Sequence, residues 1–424
     1  MLIHSATQLL TLKGGPQRRR DLGTLGIIQN GAVLIRDEKI LAAGSTDELR
    51  AAYKDEPALD ASGCVVMPGF VDPHTHVIWA GDRANEFEMK MAGKPYLDIL
   101  AAGGGIISTV RQTRTASIES LIAQTRPRLL RMFAHGTTTA EAKTGYGLQT
   151  ATELRLLKAL ITLEDESPLD LAITFLGAHA IAPEYKGDPQ GYTDLVCETM
   201  LPTVQQWWQT HAPNHPLPFV DVFCEDRAFN LDQSRQILTK ARELGFPLKI
   251  HADEFDNLGG ASLAVELGAA SADHLVKTSD ADIKALGESD TVAVALPCTP
   301  FGLAEKEYTP ARKLIDANAI LALATDCNPG TAWNESMQFV IALACRAMGL
   351  TPAQAIAAAT INSAHAIRRS DIIGSIEEGK QADLLILNVP DYRYLGYRFG
   401  TNLVRQVVKR GRVYSVDVGY YRTA

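Results

Sequence analysis

The chain has 424 residues, of which 46% are hydrophobic and 21% charged, as in globular proteins that combine one large domain with a smaller one. Its net charge of −8 argues against nucleic acid or an acidic membrane as the partner. No apolar run approaches the roughly 20 residues that span a bilayer, no signal peptide is evident, and the six cysteines form no CxxC pair. We therefore expect a cytoplasmic protein with reduced thiols.

The two ends of the chain share a pattern of short strands with little helix signal. At residues 31–44, two apolar runs flank a polar turn at 36–39, which predicts a β-hairpin. Strand-like runs return at 382–388 and 404–413. Neither end is long enough for an independent core. We therefore expect both ends to pair into one small β-domain, made of residues 1–64 together with 366–424.

Between the two ends, strands and helices alternate. Candidate strands lie at 65–72, 136–143, 171–178, 220–225, 246–251, 270–274, 291–297 and 320–326. Candidate helices lie at 117–134, 150–164, 192–210, 230–244, 258–267, 280–287, 308–317 and 333–348. Ser117 and Thr150 are the predicted N-caps of the first two helices, each with a Glu near the third position. The alternation predicts a (β/α)8 TIM barrel over 65–365, with a doubly wound sheet as the structural alternative.

Polar side chains collect where the candidate strands end, which is where a barrel places its chemistry. His74 and His76 are two residues apart, so in an extended strand both imidazoles face the same side. His251 and Asp326 each close an apolar run. A buried imidazole or carboxylate is unfavourable unless it is paired or bound to metal, and His is a common ligand of zinc and iron. The combination predicts a metal site.

Each of these residues also has a structural interpretation when it is taken alone. His251 could be a hydrogen-bonded core histidine, and Asp326, followed by Cys-Asn-Pro-Gly, could cap a turn. Glu254 could sit at a helix N-terminus, where carboxylates are favoured. Arg83 could be an ordinary surface arginine. The metal hypothesis therefore depends on the set and not on any one residue.

Several longer motifs make the sequence similar to a known family. They are PGFVDPHTH at 68–76, WAGDRANEF at 79–87, EAKTGYG at 141–147, HADEF at 251–255 and ATDCNPGT at 324–331. Together they resemble the amidohydrolase superfamily and, within it, the imidazolonepropionase family. The segment GSIEEGKQADL at 374–384 is typical of the superfamily at large and discriminates less.

The resemblance implies a barrel plus a β-sandwich built from both termini. It implies one Zn2+ or Fe ion with four ligands, which are His74, His76, His251 and Asp326. Relatives with two metals usually carry a bridging lysine at the end of strand four, and residues 220–225 contain none. The implied reaction is hydrolysis of the cyclic amide of 4-imidazolone-5-propanoate to N-formimidoyl-L-glutamate in histidine degradation, by a metal-activated water.

The resemblance also implies roles for individual side chains. Asp326 would take the water proton and pass it to the leaving ring nitrogen, His274 would polarise the carbonyl, and Glu254 would bind a ring nitrogen or shuttle a proton. Arg83 would hold the carboxylate tail of the small-molecule substrate. Further substrate contacts would come from Tyr146, His179, Asn328, Gly330 and Thr331. A homodimer is common among such relatives and is expected here.

Three other functions remain open at this point. A related deaminase could use the same pair, His251 and Glu254, and would not require a substrate carboxylate. A metal-free scaffold on the same fold is a different class, which the four candidate ligands disfavour. A nucleotide-binding or redox enzyme would fit the doubly wound sheet, but no GxGxxG follows a strand, and the glycines at 103–105 lack the Lys-Ser/Thr of a P-loop.

Overall fold

The computed structural model describes residues 1–94 and 104–416, and these residues form sixteen strands. In chain order the strands are β1 (Leu2–Leu10), β2 (Ile27–Arg36), β3 (Lys39–Ser45), β4 (Ala58–Asp60), β5 (Val65–Pro68), β6 (Phe70–Asp72), β7 (Thr137–Lys143), β8 (Asp170–Ala178), β9 (Phe219–Cys224), β10 (Lys249–Ala252), β11 (Ser271–His274), β12 (Val292–Ala295), β13 (Leu321–Leu323), β14 (Leu384–Leu387), β15 (Val404–Lys409) and β16 (Arg412–Ser415).

Strands β6 to β13 form one parallel sheet in which every strand neighbours the next one in the chain. The two ends of this sheet meet through the residues that follow β6 and β13. The N–H of Asp326 donates to the carbonyl of His74 at 3.1 Å, and the N–H of His76 donates to the carbonyl of Cys327 at 3.0 Å. These bonds close the sheet into the predicted barrel, and the doubly wound alternative is wrong.

The strand predicted over 65–72 is in fact two strands with different partners. Residues 65–68, as β5, pair with β1 and β14, whereas β6 opens the barrel beside β7. Gly69 lies between them, and a Cβ there would stand 2.2 Å from Oγ1 of Thr138. Only glycine lets the chain pass so close to β7 as it leaves one sheet for the other.

The remaining strands form a second sheet, in the order β16-β15-β14-β5-β1-β2-β3, with β4 paired to β1. Both chain ends therefore contribute to one β-structure, as predicted. The hairpin predicted over 31–44 is β2 and β3. The run predicted at 404–413 is a second hairpin, because the chain turns at Arg410 and Gly411, both with positive φ. The domain boundaries at 64/65 and 365/366 stay a prediction, and residues 417–424 lie outside the described ranges.

Helices connect the barrel strands and cover the barrel. The α-helices of the described residues are Thr46–Ala52, Ala84–Met91, Ile106–Thr115, Ile118–Ala134, Thr150–Glu166, Pro189–Leu195, Leu201–His211, Leu231–Glu243, Gly260–Leu267, Asp280–Gly287, Cys298–Leu303, Ala311–Asp316, Met337–Ala347, Pro352–Ala358, Ile361–Ala366 and Tyr394–Tyr397. Short 3₁₀ turns occur at Arg19–Asp21 and Pro183–Tyr185. Within the described ranges, no helix combines the length and the apolar character needed to cross a membrane.

Two helix predictions need correction. The helix predicted over 192–210 runs from 189 to 211 and contains a π-helical turn at Val196–Met200. Thr150 is the first helical residue and not the N-cap, and the side chain of the cap, Gln149, makes no capping hydrogen bond. Ser117 caps its helix as predicted, because its hydroxyl accepts from the N–H of Ser120.

Candidate metal centre and active site

Three histidine side chains converge at the carboxyl-terminal mouth of the barrel. His74 and His76 follow β6, and His251 lies in β10. Nε2 of His76 is 3.3 Å from Nε2 of His74 and 3.2 Å from Nε2 of His251. Asp326, which follows β13, places Oδ1 3.6 Å from Nε2 of His74 and 3.5 Å from Nε2 of His76. All four side chains are buried, so the structure brings the four predicted ligands together.

The carboxylates behind two of these imidazoles leave their Nε2 lone pairs free. Nδ1 of His74 donates to Oδ2 of Asp273 at 2.6 Å, and Nδ1 of His251 lies 2.9 Å from Oδ2 of Asp221. A proton on Nδ1 of a neutral imidazole leaves Nε2 as the acceptor. Lone pairs that point at one another repel unless a cation lies between them. Metal–nitrogen bonds of about 2.0–2.1 Å place tetrahedral ligand atoms roughly 3.3 Å apart, so the residues present fit a metal ion.

The electrostatics of the site also favour metal binding. Burial lowers the pKa of His74 and of His76 well below the usual value for histidine, and neighbouring positive charges, such as Lys143 for His74, add to the effect. Both imidazoles are therefore neutral, which is the form that binds metal. Burial raises the pKa of Asp326 to about 6, while the hydroxyl of Thr299, 2.5 Å from Oδ2, acts in the opposite direction.

His274 and Glu254 lie beside the four converging side chains. Nε2 of His274 is 3.6 Å from Oε2 of Glu254. Burial lowers the pKa of His274 well below the usual value, and burial together with the charge of Asp326 raises that of Glu254. Nitrogens of His74, His251 and His274 also lie within 4.8 Å of one another. His274 is therefore close enough to contact a ligand that the four converging side chains hold.

Arg83 lies at the rim of the site against the loop that follows β13. Its Nε donates to Oε2 of Glu86 at 2.8 Å, and a Cβ on Gly330 would stand 2.2 Å from Nη1 of Arg83. Oδ1 of Asn328 accepts from the N–H groups of Gly330 and Thr331, both at 2.8 Å, and its amide donates to Thr331 and to the Asp326 carbonyl. Asn328 therefore shapes this loop, and the loop brings Gly330 against Arg83.

Tyr146 and His179 form one wall of the site. The ring of His179 stacks on His76, with centroids 4.7 Å apart and an interplanar angle of 15°. Tyr146 lies 5.2 Å from His179 and 6.1 Å from His76, measured between centroids. Nδ1 of His179 donates to the carbonyl of Gly145 at 3.1 Å. Both predicted residues are near the converging histidines.

Several polar residues beneath and around the site were not predicted from the sequence. Charged side chains fill the barrel interior below the histidines, and they are Glu141, Lys143, Asp221, Lys249 and Asp273. Alternation within a strand could have revealed them, because Glu141 and Lys143, or Lys249 and His251, are two residues apart and face the same side. Thr299, which binds Asp326 from a helix that was not predicted, had no comparable signal.

A cavity of about 650 Å³ opens at the other end of the barrel. Its lining includes Leu171, Phe219 and Leu248, which lie at the amino-terminal sides of their strands, and none of the predicted site residues. The predicted site residues therefore lie away from this cavity, at the carboxyl-terminal mouth, where barrels carry their active sites.

A barrel with three imidazoles and a carboxylate at its mouth defines a class of metal-dependent hydrolases, and the family comparison agrees with that class. The Amidohydrolase family model matches residues 65–414. Among solved structures, Escherichia coli guanine deaminase superposes with a TM-score of 0.73 at 14% identity, covering 98% of each chain. A Xanthomonas campestris adenosine deaminase with bound zinc gives a TM-score of 0.67 at 19% identity, covering 97% of this chain and 92% of that one. At these identities the structures establish the fold alone.

Sequence relatives narrow the class further. The chain is 53% identical to the imidazolonepropionase of Herpetosiphon aurantiacus over 97% of its length and 96% of the relative. It is 48% identical to that of Chloroflexus aggregans, covering 97% and 98%, and 45% identical to that of Geobacillus kaustophilus, covering 99% of each. A model described as Imidazolonepropionase-like composite domain, bacteria, matches residues 31–53. The chain belongs to the amidohydrolase family and, within it, to the imidazolonepropionases.

Proposed function

We propose that this enzyme hydrolyses the cyclic amide of 4-imidazolone-5-propanoate to N-formimidoyl-L-glutamate in histidine degradation. The observation that carries the proposal is the convergence of three imidazoles and Asp326 at the barrel mouth, with the Arg83 guanidinium at its rim. The names of relatives that match nearly the whole chain support the same reaction.

One Zn2+ or Fe ion would be held by His74, His76, His251 and Asp326. When bound, such an ion lowers the pKa of a coordinated water from about 15.7 to about 7 and so supplies a nucleophile near neutral pH. Relatives with two metals usually carry a bridging lysine at the end of strand four, and β9 with the following Glu225 contains none, which supports a single ion. The carboxylate of Glu225 accepts from the N–H groups of Phe255 and Asp256 at 2.9 and 3.0 Å, so it has a structural task.

Asp326 is the proposed base for the attacking water. Thr299 holds Oδ2 of its carboxylate, and Oδ1 faces the histidines, so the carboxylate has one defined orientation. In the attack, the water oxygen bonds to the amide carbon and its proton passes to Asp326. The same proton then goes to the ring nitrogen as the carbon–nitrogen bond breaks. This leaves the formimidoyl nitrogen and a carboxylic acid, which releases the second water proton to solvent and becomes a carboxylate.

His274 and Glu254 are proposed to act on the substrate ring. A neutral imidazole at His274 offers an N–H that can hydrogen-bond the carbonyl oxygen as negative charge develops on it. Because the pKa of Glu254 is raised, its carboxyl retains a proton to higher pH than an exposed one and can donate to a ring nitrogen. The pair at 3.6 Å supports a shared role on one side of the ring.

Arg83 is proposed to bind the propionate tail, because a guanidinium matches a carboxylate with two parallel hydrogen bonds. Tyr146 and His179 would line the ring, and Gly330 and Thr331 would present polar backbone beside Arg83. Asn328 would contribute mainly by holding that loop. A homodimer, a cytoplasmic location, and the absence of nucleic-acid or membrane partners stay predictions.

The proposed function is tested with two substrates and two variants. We expect turnover of 4-imidazolone-5-propanoate, followed as N-formimidoyl-L-glutamate, and a much higher KM for a 4-imidazolone without the propionate. Arg83→Ala should raise KM for the full substrate about 10- to 100-fold, the loss of a hydrogen bond to a charged group, and leave KM for the tail-less ring unchanged. Arg235→Ala, at an exposed pair with Glu266, is the matched control.

Ammonia release from purines or pyrimidines without turnover of the imidazolone would favour a deaminase.

A further inference from the structure

Five charged side chains lie completely buried in the barrel interior, directly below the converging histidines. They project from strands β7, β9, β10 and β11, and their relative exposure is 0%. They are Glu141, Lys143, Asp221, Lys249 and Asp273. This set is called the buried charge network below.

Glu141 joins the two lysines of the buried charge network. Nζ of Lys143 donates to Oε1 of Glu141 at 2.9 Å and to Oδ2 of Asp221 at 2.7 Å. Nζ of Lys249 donates to Oε2 of Glu141 at 2.8 Å and to the carbonyl of Pro73 at 2.6 Å. Oδ2 of Asp273 lies 3.5 Å from Nζ of Lys249 and 3.7 Å from Nζ of Lys143.

The two aspartates of the network face outer nitrogens of proposed metal ligands. Asp273 accepts from Nδ1 of His74 at 2.6 Å, and Oδ2 of Asp221 lies 2.9 Å from Nδ1 of His251. Among the described residues, Nδ1 of His76 is buried without a hydrogen-bond partner, and Nδ1 of His251 meets Asp221 in an ion-pair contact that lacks the geometry of a hydrogen bond. Lys249 also binds the carbonyl immediately before His74. The network therefore contacts two of the three imidazoles, those of His74 and His251, and also the backbone next to His74.

Such a network is an unusual way to fill a barrel. Removing charges from water is so unfavourable that buried ion pairs are often no better for stability than apolar side chains of the same volume. Carboxylates behind metal-binding histidines, however, fix the tautomer and the ring orientation. A carboxylate buried beneath a histidine needs a partner of its own to stay in place, and the two lysines lie next to both aspartates.

We propose that Lys143 and Lys249 are positioning residues of the metal centre, which hold Asp221 and Asp273 against His251 and His74 and thereby raise its affinity for metal. This inference rests on the metal site of the proposed function. The network carries three carboxylates and two ammonium groups, so loss of one lysine makes it more negative. If only the net charge mattered, that loss would tighten binding of a cation, whereas loss of positioning weakens it.

The test is the dissociation constant for Zn2+, measured by competition with a chromophoric chelator on metal-free protein. We expect Lys249→Met to bind Zn2+ about 10- to 100-fold more weakly than the wild type, the effect typical of altered partners behind a ligand. A double variant, Glu141→Gln with Lys143→Met, keeps the net charge and should weaken binding similarly. If Lys249→Met fails to fold, this double variant tests the inference in its place.

Lys409→Met is the matched control for loss of a buried lysine. Nζ of Lys409 donates to Asp383 at 2.6 Å and to Asp170 at 2.7 Å in the sheet of the termini, and its side chain is 3% exposed. For Lys409→Met we expect a lower Tm than that of the wild type and an unchanged Zn2+ affinity. Network variants that fold and bind Zn2+ as tightly as the wild type, or more tightly, would overturn this inference and leave the proposed metal site in place. A wild-type chain that binds no Zn2+ or Fe would overturn the proposed metal site as well.

Discussion

His274 has a backbone φ of 82°, a conformation that residues with a side chain rarely adopt. Such strain persists where the surroundings enforce it, and it is common at functional sites. We predict that His274→Ala lowers kcat about 100- to 1,000-fold, as the loss of a group that stabilises an oxyanion does. Metal content should stay at the wild-type value, because His274 is not a proposed ligand. An unchanged kcat would remove His274 from the mechanism, and loss of metal would make it a ligand instead.

The pH dependence of stability offers a second prediction for one residue. Burial lowers the pKa of His179 to about 3, and the neighbouring His251 imidazole adds to the effect, whereas an imidazole in the unfolded chain titrates at about 6.5. Between these values the unfolded state binds a proton that the native state does not, so the free energy of unfolding decreases as the pH falls. In metal-free protein, His179→Gln should reduce this slope by up to about 1.4 kcal/mol per pH unit. Urea unfolding between about pH 5 and 7 measures it, and parallel curves would contradict the account.

Single residues differ in how far the sequence could predict them. The four proposed ligands were found because His74, His76, His251 and Asp326 end apolar runs and lie in recognisable motifs. The hydrogen bond from Thr299 to Asp326 could not be predicted in the same way. A threonine has many ordinary uses in a loop, and only the folded chain brings it to Oδ2 of Asp326.

The loop after β7 is held by a carboxylate, that of Glu153, for which the sequence predicted a different role. Glu153 was expected in a capping pattern, but its Oε1 accepts from the N–H groups of Gly147 and Leu148, and its Oε2 accepts from that of Gly145. These three bonds fix the turn that carries Tyr146. The capping pattern and the loop contact use the same residue types, so local spacing could not separate them.

We therefore predict that Glu153→Gln destabilises the protein by about 1–3 kcal/mol, because one amide oxygen cannot serve three buried donors. It should also raise KM, since Tyr146 is then less well placed. Glu166→Gln, at the exposed end of the same helix, should change the free energy of unfolding by less than about 0.5 kcal/mol. Equal denaturation midpoints for the two variants would show that the loop does not depend on Glu153.

Strand prediction was accurate for the barrel and less so where the chain changes sheets. Each barrel strand after β6 lies within a few residues of its predicted position, because apolar runs bounded by polar residues mark buried parallel strands well. The run 65–72 reads as one strand because both of its halves are buried. The break at Gly69 depends on contact with Thr138, far away in the sequence.

For the whole molecule, the sheet of the termini and the barrel share one apolar core. Leu385 of β14 is fully buried, and its Cδ1 would lie 2.9 Å from a Cβ on Gly136, which precedes the barrel strand β7. We predict that Leu385→Ala lowers the free energy of unfolding by about 2–5 kcal/mol, with kcat unchanged in the folded enzyme. Leu385→Met should cost less than about 1.5 kcal/mol. Circular dichroism and activity should be lost in one transition, and two separate transitions would contradict a shared core.

The contacts of the buried charge network could not be predicted from the sequence. Alternation can place Glu141 and Lys249 on the inward faces of their strands, but these residues and Asp221 belong to three different strands, and nothing local indicates that they meet. The mouth of the barrel could be predicted because each strand end is recognisable by itself. The interior could not, because its contacts exist only once the sheet has closed.

The most direct measurement of the central claim is turnover of 4-imidazolone-5-propanoate by the purified protein, before metal removal, after it, and after metal is returned. We expect one metal per chain by elemental analysis, turnover that disappears with the metal, and recovery with one equivalent of Zn2+ or Fe2+. Full turnover by metal-free protein, or no turnover by protein that holds one metal per chain, would contradict the account. Two metals per chain in the active enzyme would contradict the single-ion centre.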